Sequence, residues 1–212
     1  MANHEFPFPL YLVISEGDCK HQSFLKVAEA AIRGGVDLIQ LREKDCDDEM
    51  FIAKAEKLKE ITDKYNIPLI INDNLKVAIK VNAFGIHVGT TDIPPSNIRK
   101  IWKGCQSLGY SLEALEQLYT QETQMADCLG VSPVFKTQTK ENTVTEWGLA
   151  GIRRIRDLTP KPLIAIGNMN IATIAPVLEA GADSIAVVSA ICSAKNPEKA
   201  AFELKNKILK TL

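Results

Sequence analysis

The sequence lacks the features of proteins that bind nucleic acid, span a membrane or are secreted. Its formal net charge is -1 over 212 residues, so the basic excess that nucleic-acid binding requires is missing. Its apolar runs, of which 184–192 is among the longest, fall short of the roughly 18 residues that cross a bilayer. The N-terminal residues lack the charged-then-apolar pattern of a signal peptide. We therefore expect a cytoplasmic protein that binds neither nucleic acid nor membrane.

Cysteine and histidine are scarce and scattered. The 5 cysteines are odd in number and form no C-x-x-C pair, which argues against a disulfide framework or a zinc site. The 3 histidines argue against a histidine-based metal site. The sequence also shows no pairing of a serine or cysteine with a histidine that would indicate a nucleophile. Reduced thiols in a cytoplasm are the expectation that fits this composition.

Short apolar runs rich in β-branched residues alternate with segments of helical periodicity. With 46% hydrophobic and 24% charged residues, the chain can bury one core, so we predict a single domain over residues 1–212. Several runs are nearly continuous, which is typical of parallel strands covered on both faces. The predicted strands are 10–15, 38–42, 69–72, 85–89, 107–111, 128–134, 163–167 and 184–190. The predicted helices are the segment from Phe24 that ends at Gly34-Gly35, and 47–65, 75–81, 96–102, 112–125, 148–158, 170–180 and 197–210.

Eight β-then-α units without a linker between them suit either a doubly wound open sheet or a closed barrel. The even spacing of the units favours the barrel, as does the absence of Gly-x-Gly-x-x-Gly after the first strand. We therefore predict an α/β fold consisting of one (β/α)8 TIM barrel. The chain is short for this fold, so its loops must be brief, except for the polar segment after Phe135. Loops longer than the fold requires are usually functional.

Charged side chains gather at the carboxyl ends of the predicted strands, where the active sites of such barrels lie. Arg42 and Lys44 follow the second strand, Asp73 follows the third, and Asp92 follows the fourth. Each has an ordinary explanation as well, since Asp73 could cap a helix and the cations could be rim charges. His87, inside the fourth strand, reads more simply as a core histidine. The joint placement of cations and carboxylates on one rim favours a polyanion held partly through a divalent metal.

The charges on this rim suggest a diphosphate and a magnesium ion. Asp73 and Asp92 would give Mg²⁺ two carboxylate ligands and leave other positions for water or phosphate oxygens. Arg42 offers a planar fork to phosphate oxygens, while Lys44 and Lys140 are point charges. Mg²⁺ and these cations would stabilise charge on a departing diphosphate.

A second group of residues lies apart from these charges. Gly167, Val188 and Ser189 close the barrel at the seventh and eighth strands, where loops commonly hold a monophosphate through backbone N–H groups. The long loop carries Thr137 and Thr139, two hydroxyls flanked by lysines, which could form either an ordinary solvated turn or half of an anion site. One diphosphate and one monophosphate indicate two small phosphorylated substrates.

In order along nearly the whole chain, the motifs at these positions resemble those of the thiamine phosphate synthase family. The resemblance implies a (β/α)8 barrel transferase that joins a hydroxymethylpyrimidine diphosphate to a thiazole phosphate and releases diphosphate. It also implies one Mg²⁺ per subunit. The motifs are Gln40-Leu41-Arg42-Glu43-Lys44, Asn72-Asp73, Gly85-Ile86-His87-Val88-Gly89 with Asp92-Ile93-Pro94, Thr137-Gln138-Thr139-Lys140, Ile164-Ala165-Ile166-Gly167 and Val187-Val188-Ser189-Ala190-Ile191.

The resemblance also implies roles for individual residues. Asp73 and Asp92 would hold Mg²⁺. The residues for the pyrimidine diphosphate would be Gln40, Leu41, Arg42, Glu43, Lys44, Asn72, Ser111 and Lys140. The residues for the thiazole phosphate would be Thr137, Gln138, Thr139, Gly167, Val188 and Ser189. The catalytic residues would be Arg42, Lys44, Ser111 and Lys140. Asn168 departs from the family, which usually has a second glycine at that position.

Two other functions compete with the synthase. A thiazole tautomerase shares the barrel, but that family has a catalytic histidine directly after the serine of the fifth strand, where this chain has Leu112. A non-catalytic protein that binds phosphorylated ligands would not need both carboxylates together with Lys140. The sequence is also compatible with a homo-oligomer.

Overall fold

Eight parallel strands close into a barrel in the order in which they occur along the chain. The computed structural model describes residues 6–136 and 145–212. Each strand pairs in parallel with its neighbours in sequence, and β8 pairs with β1 to close the ring. The predicted (β/α)8 barrel is confirmed. The strands are β1 (Leu10–Ile14), β2 (Leu38–Leu41), β3 (Leu69–Asn72), β4 (Gly85–Val88), β5 (Ser107–Leu112), β6 (Cys128–Val131), β7 (Leu163–Ile166) and β8 (Ser184–Val187).

Helices connect the strands and cover the outside of the barrel. In α1 the side chain of Ser23 caps the first turn by accepting the Lys26 N–H, and Gly35 follows the helix with a φ of 99°. None of the helices in the described ranges is long and apolar enough to cross a membrane. They are α1 (Phe24–Arg33), α2 (Asp48–Lys64), α3 (Leu75–Lys80), α4 (Pro95–Ile101), α5 (Gln121–Met125), α6 (Gly148–Leu158), α7 (Ile171–Glu179), α8 (Ser189–Cys192) and α9 (Pro197–Leu209), with a 3-10 helix at Leu115–Tyr119.

The predicted helix at 112–125 is wrong. Strand β5 continues through Leu112, and the side-chain oxygen of Gln117 then accepts the N–H groups of Glu113 (2.6 Å) and Ala114 (2.7 Å). Thr120 is extended, with φ -84° and ψ 157°, and separates the 3-10 helix from α5. Side chains that bond to nearby backbone groups compete with a continuous helix, so the segment breaks into two short ones.

The predicted strand at 184–190 is too long. Strand β8 ends at Val187, and Val188 turns the chain into α8 with φ -118° and ψ -86°. The N–H groups of Ile191 and Cys192 donate to the Val188 carbonyl at 3.1 and 2.9 Å. A continuous apolar run does not distinguish a buried strand from a buried helical turn, which explains the error.

Side chains of the strands alternate between the inside of the barrel and the layer beneath the helices. Leu12 and Ile39 are fully buried on the outer side. At the N-terminal end, Phe8 contacts Phe6 and Phe84 edge to face, with ring centroids 5.1 and 6.0 Å apart. These rings pack against a separate apolar cluster inside the barrel, formed by Tyr11, Val13, Leu38, Ile70, Cys128, Ile164 and Ala186.

Three aspartates repeat one arrangement at the N-terminal end of the barrel. Each directly precedes an even-numbered strand, and its carboxylate accepts the N–H of a residue in the preceding strand. Each also pairs with a basic side chain from a covering helix. The carboxylate therefore joins two strands and a helix through charged hydrogen bonds. The sets are Asp37 with Leu10 and Lys205, Asp127 with Leu108 and Arg99, and Asp183 with Leu163 and Arg156.

Asp183→Ala should destabilise the barrel without touching its C-terminal mouth. The change removes the acceptor of the Leu163 N–H (2.7 Å) and the partner of Arg156 (2.8 Å). Hydrogen bonds to charged groups contribute about 1.5–3 kcal/mol, so we expect a loss of that size in the free energy of unfolding. Urea unfolding measures it. Asp157→Ala, at an exposed position of α6, is the control, and equal losses in both variants would contradict the assignment.

Candidate active site

An open pocket of about 470 Å³ lies at the C-terminal mouth of the barrel, beside the ends of β2, β3 and β4. Five residues that the resemblance placed in the site line it together: Glu43, Lys44, Asn72, Asp73 and Asp92. Asn74 and an apolar wall of Cys46, Phe51, Leu75 and Ile93 complete the lining. The pocket therefore combines charge of both signs with an apolar side.

Asp73 has a backbone conformation that is rare for a residue with a side chain. Its φ is 60°, and its N–H donates to the His87 carbonyl at 2.8 Å, which fixes it to the neighbouring strand. The helix cap is Asn74, whose side-chain oxygen accepts the Val77 N–H at 3.0 Å. Asp73 is therefore not needed as a cap, and its carboxylate is left for the pocket. Left-handed non-glycine residues are concentrated at functional sites.

The side chains of Asp73 and Asp92 interact directly beside Lys44. Burial and the hydrogen bond with Asp73 raise the pKa of Asp92 above its ordinary value, against the lowering effect of the Gly89 N–H at 2.8 Å. Lys44 Nζ lies 3.0 Å from Asp73 Oδ2, with 51% of the lysine side chain exposed. An ion pair that exposed contributes about 0–1 kcal/mol, so Lys44 can exchange it for another partner.

The donor set at this position fits a magnesium ion. Two carboxylates in contact favour a cation between them, and oxygen ligands are those that Mg²⁺ prefers. Within residues 6–136 and 145–212, no group of three or more histidine, cysteine or acidic residues is arranged for a metal. The protein would therefore supply Asp73 and Asp92, and oxygen atoms of water or substrate would complete the shell, as is usual for Mg²⁺.

The motif that begins in β2 and continues past its end is divided among several environments. Gln40 is buried inside the barrel, where its Nε2 donates to the Tyr11 hydroxyl at 2.7 Å. Leu41 is fully buried in the layer beneath the helices, so any contribution to the mouth comes from its backbone. Arg42 continues the sheet by donating its N–H to the Ile14 carbonyl at 2.9 Å, and this half-buried residue is not among those that line the pocket. Because successive side chains of a strand point to opposite faces, neighbours in the motif lie in different environments.

Glu43 is held by protein groups on both carboxylate oxygens. Oε1 accepts the Glu16 N–H at 2.8 Å and Oε2 accepts Lys54 Nζ at 2.9 Å. Lys54, on α2, also lies 2.9 Å from the Glu16 carboxylate. Burial alone would lower the pKa of Lys54, but its hydrogen bonds with Glu16 and Glu43 raise it above the ordinary range. The ammonium group therefore stays charged between two carboxylates.

His87 is the functional candidate that sequence reasoning missed. Its Nε2 lies 3.0 Å from Ser111 Oγ, so the expectation that the chain has no serine–histidine pairing is wrong. The two residues are 24 positions apart and meet because β4 and β5 are neighbours, with His87 in register with Gly109. Leu112, where the tautomerase family has its histidine, is fully buried in the layer beneath the helices.

Two glycines make room for the imidazole of His87. A Cβ added to Gly109 would lie 2.3 Å from His87 Nδ1, and one added to Gly130 would lie 2.9 Å from His87 Cε1. Both distances are shorter than van der Waals contact. Glycines on the neighbouring strands β5 and β6, where Gly109 is in register with Cys128 and Gly130 with Ser111, are the signal in the sequence that could have shown a ring lying across these strands.

The predicted thiazole phosphate residues lie at the ends of β7 and β8, which pair with each other. Gly167 has a φ of 116°, and a Cβ there would lie 2.8 Å from the Cβ of Pro133, so this position requires glycine. Asn168 is also left-handed, with a φ of 55°. Ser189 is exposed at the start of α8. The predicted residues Thr137, Gln138, Thr139 and Lys140 lie outside the described residues.

The barrel matches a known family of enzymes along most of the chain. A family model described as thiamine monophosphate synthase matches residues 10–191. The chain is 41% identical over 199 residues to the thiamine-phosphate synthase of Albidiferax ferrireducens, covering 94% of this chain and 91% of that one. The corresponding Leptospira biflexa protein is 42% identical over 201 residues, covering 93% and 96%. The chain therefore belongs to the thiamine monophosphate synthase family, a family of transferases.

A solved structure agrees with this assignment. The thiamine phosphate pyrophosphorylase from Pyrococcus furiosus superimposes with a TM-score of 0.86 at 30% sequence identity, and the match covers 97% of each chain. The likeness thus extends over the barrel as a whole, including the ends of all its strands.

Gly109→Ala should displace His87 and break its contact with Ser111. Forcing a methyl group into a packed site costs about 1–3 kcal/mol, which thermal unfolding measures. Adding His87→Ala to Gly109→Ala should recover stability, because the ring that collides with the new methyl group is gone. Gly104→Ala, whose Cβ would have its nearest neighbour at 3.4 Å, is the control. If the double variant is no more stable than Gly109→Ala, the glycine does not serve the histidine.

Proposed function

We propose that this protein joins an aminopyrimidine, carried on a methylene diphosphate, to the ring nitrogen of a thiazole phosphate and releases diphosphate. The observation that carries the proposal is that Asp73, Asp92 and Lys44 line one pocket at the barrel mouth, where Lys44 Nζ lies 3.0 Å from Asp73 Oδ2. These groups are only weakly paired and open onto a pocket with room for a substrate. Membership of the thiamine monophosphate synthase family supports this choice of reaction.

One Mg²⁺ per subunit would be held by Asp73 and Asp92. When bound, it would act as a Lewis acid that stabilises charge on the departing diphosphate. Lys44 would leave Asp73 and bind a diphosphate oxygen, since its present ion pair is exposed and weak. Arg42 would bind the same group through its planar fork. Lys140, which lies outside the described residues, would add a third cation on this side.

The bond changes need no nucleophile from the protein. The C–O bond to the diphosphate breaks with its electron pair on oxygen, and the electron-rich aminopyrimidine stabilises the positive charge left on the methylene carbon. The thiazole nitrogen then donates its lone pair to form the C–N bond. The protein orients the rings and stabilises the leaving group, which is electrostatic catalysis in a preorganised site.

Ser111 and Asn72 would orient the pyrimidine. Both lie at the C-terminal ends of their strands, and the contact with His87 at 3.0 Å fixes the direction of the Ser111 hydroxyl. Gln40 would contribute to the pyrimidine site from deeper in the barrel, where the hydrogen bond to the Tyr11 hydroxyl holds its amide in place. We therefore assign the serine–histidine pair to orientation of the substrate rather than to acyl transfer.

The thiazole phosphate would bind at the ends of β7 and β8. Backbone N–H groups of Gly167 and Ser189 would hold it there, and the close packing of Gly167 on Pro133 brings the start of the loop after β6 to the same place. Thr137, Gln138 and Thr139, outside the described residues, are proposed to complete this site. The two substrates would thus approach from opposite sides of the mouth.

A cytoplasmic location and a single domain over residues 1–212 are part of the proposal, and a homo-oligomer is compatible with it. All 5 cysteines, Cys19, Cys46, Cys105, Cys128 and Cys192, are free thiols, which suits a reducing compartment. The partners would be small phosphorylated molecules, with no nucleic acid or membrane.

The proposed metal site can be tested by adding a chelator and by substituting its carboxylate residues. Asp73→Asn should lower kcat/KM by at least about 10²-fold with the fold retained, because the ligand that stabilises leaving-group charge is lost. Formation of thiamine phosphate from both substrates with Mg²⁺ is the assay. Asp45→Asn, an exposed carboxylate of the same rim, should be nearly silent. Full turnover in excess chelator would contradict a role for Mg²⁺.

The two anion sites should respond to different substitutions. Arg42→Ala should raise the KM for the pyrimidine diphosphate more than that for the thiazole phosphate. Ser189→Leu should do the reverse, since a bulky side chain at the start of α8 obstructs the monophosphate. Steady-state kinetics with each substrate varied in turn decides the matter. Equal changes for both substrates in both variants would show that the division between the sites is wrong.

A further inference from the structure

Glu43 stands between two residues assigned to the diphosphate, yet its own carboxylate is not free for a ligand. Its side chain is only 9% exposed, and its two oxygens accept the Glu16 N–H and Lys54 Nζ at 2.8 and 2.9 Å. A carboxylate held in this way cannot turn toward a substrate without giving up the Glu16 N–H and leaving Lys54 with only one of its two carboxylate partners. Its role is therefore to fix the chain on either side of it.

Lys54 joins three parts of the molecule. It projects from α2, its side chain is 16% exposed, and its ammonium group lies 2.9 Å from both the Glu43 and the Glu16 carboxylates. Glu16 belongs to the loop after β1, and Glu43 belongs to the loop after β2. The lysine thus connects two neighbouring loops of the mouth to the helix beneath them.

This arrangement bears on Arg42 and Lys44 in two ways. The backbone between them is fixed because Glu43 is anchored, so their side chains start from a defined position. The negative charge of Glu43 is also neutralised, and without Lys54 that charge would lie beside the bound diphosphate and repel it. Both effects favour binding of a polyanion, and both depend on Lys54.

We propose that Lys54 is a positioning residue for the diphosphate site, acting through Glu43 on Arg42 and Lys44. The proposal rests on the function proposed above, because it takes the Arg42–Lys44 segment to be the place where diphosphate binds. A merely structural ion pair would behave differently. Its loss would lower the melting temperature and would leave the affinity for diphosphate unchanged in the folded protein.

The test measures the affinity of the full-length protein for inorganic diphosphate in the presence of Mg²⁺, by calorimetry, at a temperature where every variant is folded. Lys54→Met should weaken binding on the order of 10-fold, the effect usual for residues that support a ligand-binding group. The KM for the pyrimidine diphosphate should rise to match, while the KM for the thiazole phosphate stays within about twofold. Lys54→Arg should restore most of the affinity, because it keeps the charge and the donors.

Lys59→Met is the matched control. Lys59 lies on the same helix, is 24% exposed and pairs with Asp63 rather than with a loop of the mouth, so its loss should leave diphosphate affinity unchanged. Should Lys54→Met fail to fold, Lys54→Gln keeps a hydrogen-bond donor and should show the same selective loss. Identical affinities in the Lys54 and Lys59 variants would overturn the proposal.

Arg42→Ala separates this proposal from the one on which it rests. If Arg42→Ala does not weaken diphosphate binding, the anion site itself is misplaced and the proposed function fails with it. If Arg42→Ala weakens binding and the Lys54 variants do not, the anion site stands and the positioning role of Lys54 is refuted.

Discussion

Closure of the parallel barrel is the constraint on which the rest of the structure depends. The pairing of β8 with β1 leaves the sheet without an unpaired edge and brings the carboxyl ends of all the strands to one rim. Lys44 and Asp73, 29 positions apart, meet there at 3.0 Å. Residues that follow successive strands become neighbours in space, so a site can be assembled from short motifs spread over the whole chain.

The two ends of the barrel use charge for opposite purposes. At the N-terminal end, Asp37, Asp127 and Asp183 are each bonded to a strand N–H and to a helix cation, so their charge is satisfied within the protein. At the C-terminal mouth, Asp73 and Asp92 interact with each other and share one exposed lysine. Satisfied charges hold the scaffold together, while poorly satisfied ones favour a cation and a polyanion from outside.

The mouth is supported by residues that bond to its loops and strands. Lys54 and Glu43 fix the loop that carries the cations, and His87 fixes the hydroxyl of Ser111 from within the barrel. The imidazole fits only because Gly109 and Gly130 present no side chains to it. Precise binding groups need partners of this kind, since a side chain that is free to rotate loses much of its effect on affinity and rate.

Local features of the sequence determined the eight strands and most of the helices. Apolar periodicity and turn residues act over a few positions, so they can be read along the chain. The C-terminal end of β8 was misjudged because a continuous apolar run does not distinguish a strand from a helical turn. The break at Thr120 was missed because the side chains of Gln117 and Thr120 bond to nearby backbone groups in place of a continuous helix. Of the residues that the family motifs named, Glu43, Lys44, Asn72, Asp73 and Asp92 line one pocket at the mouth.

Tertiary structure alone decided which of those residues touch. The contacts of His87 with Ser111, of Glu43 with Lys54 and of Asp73 with Asp92 depend on strand register and on the path of the loops. Gln40 and Leu41 are adjacent in the motif, yet one points into the barrel and the other beneath the helices. Such pairings are long-range consequences of closing the barrel, and no local pattern of residues encodes them.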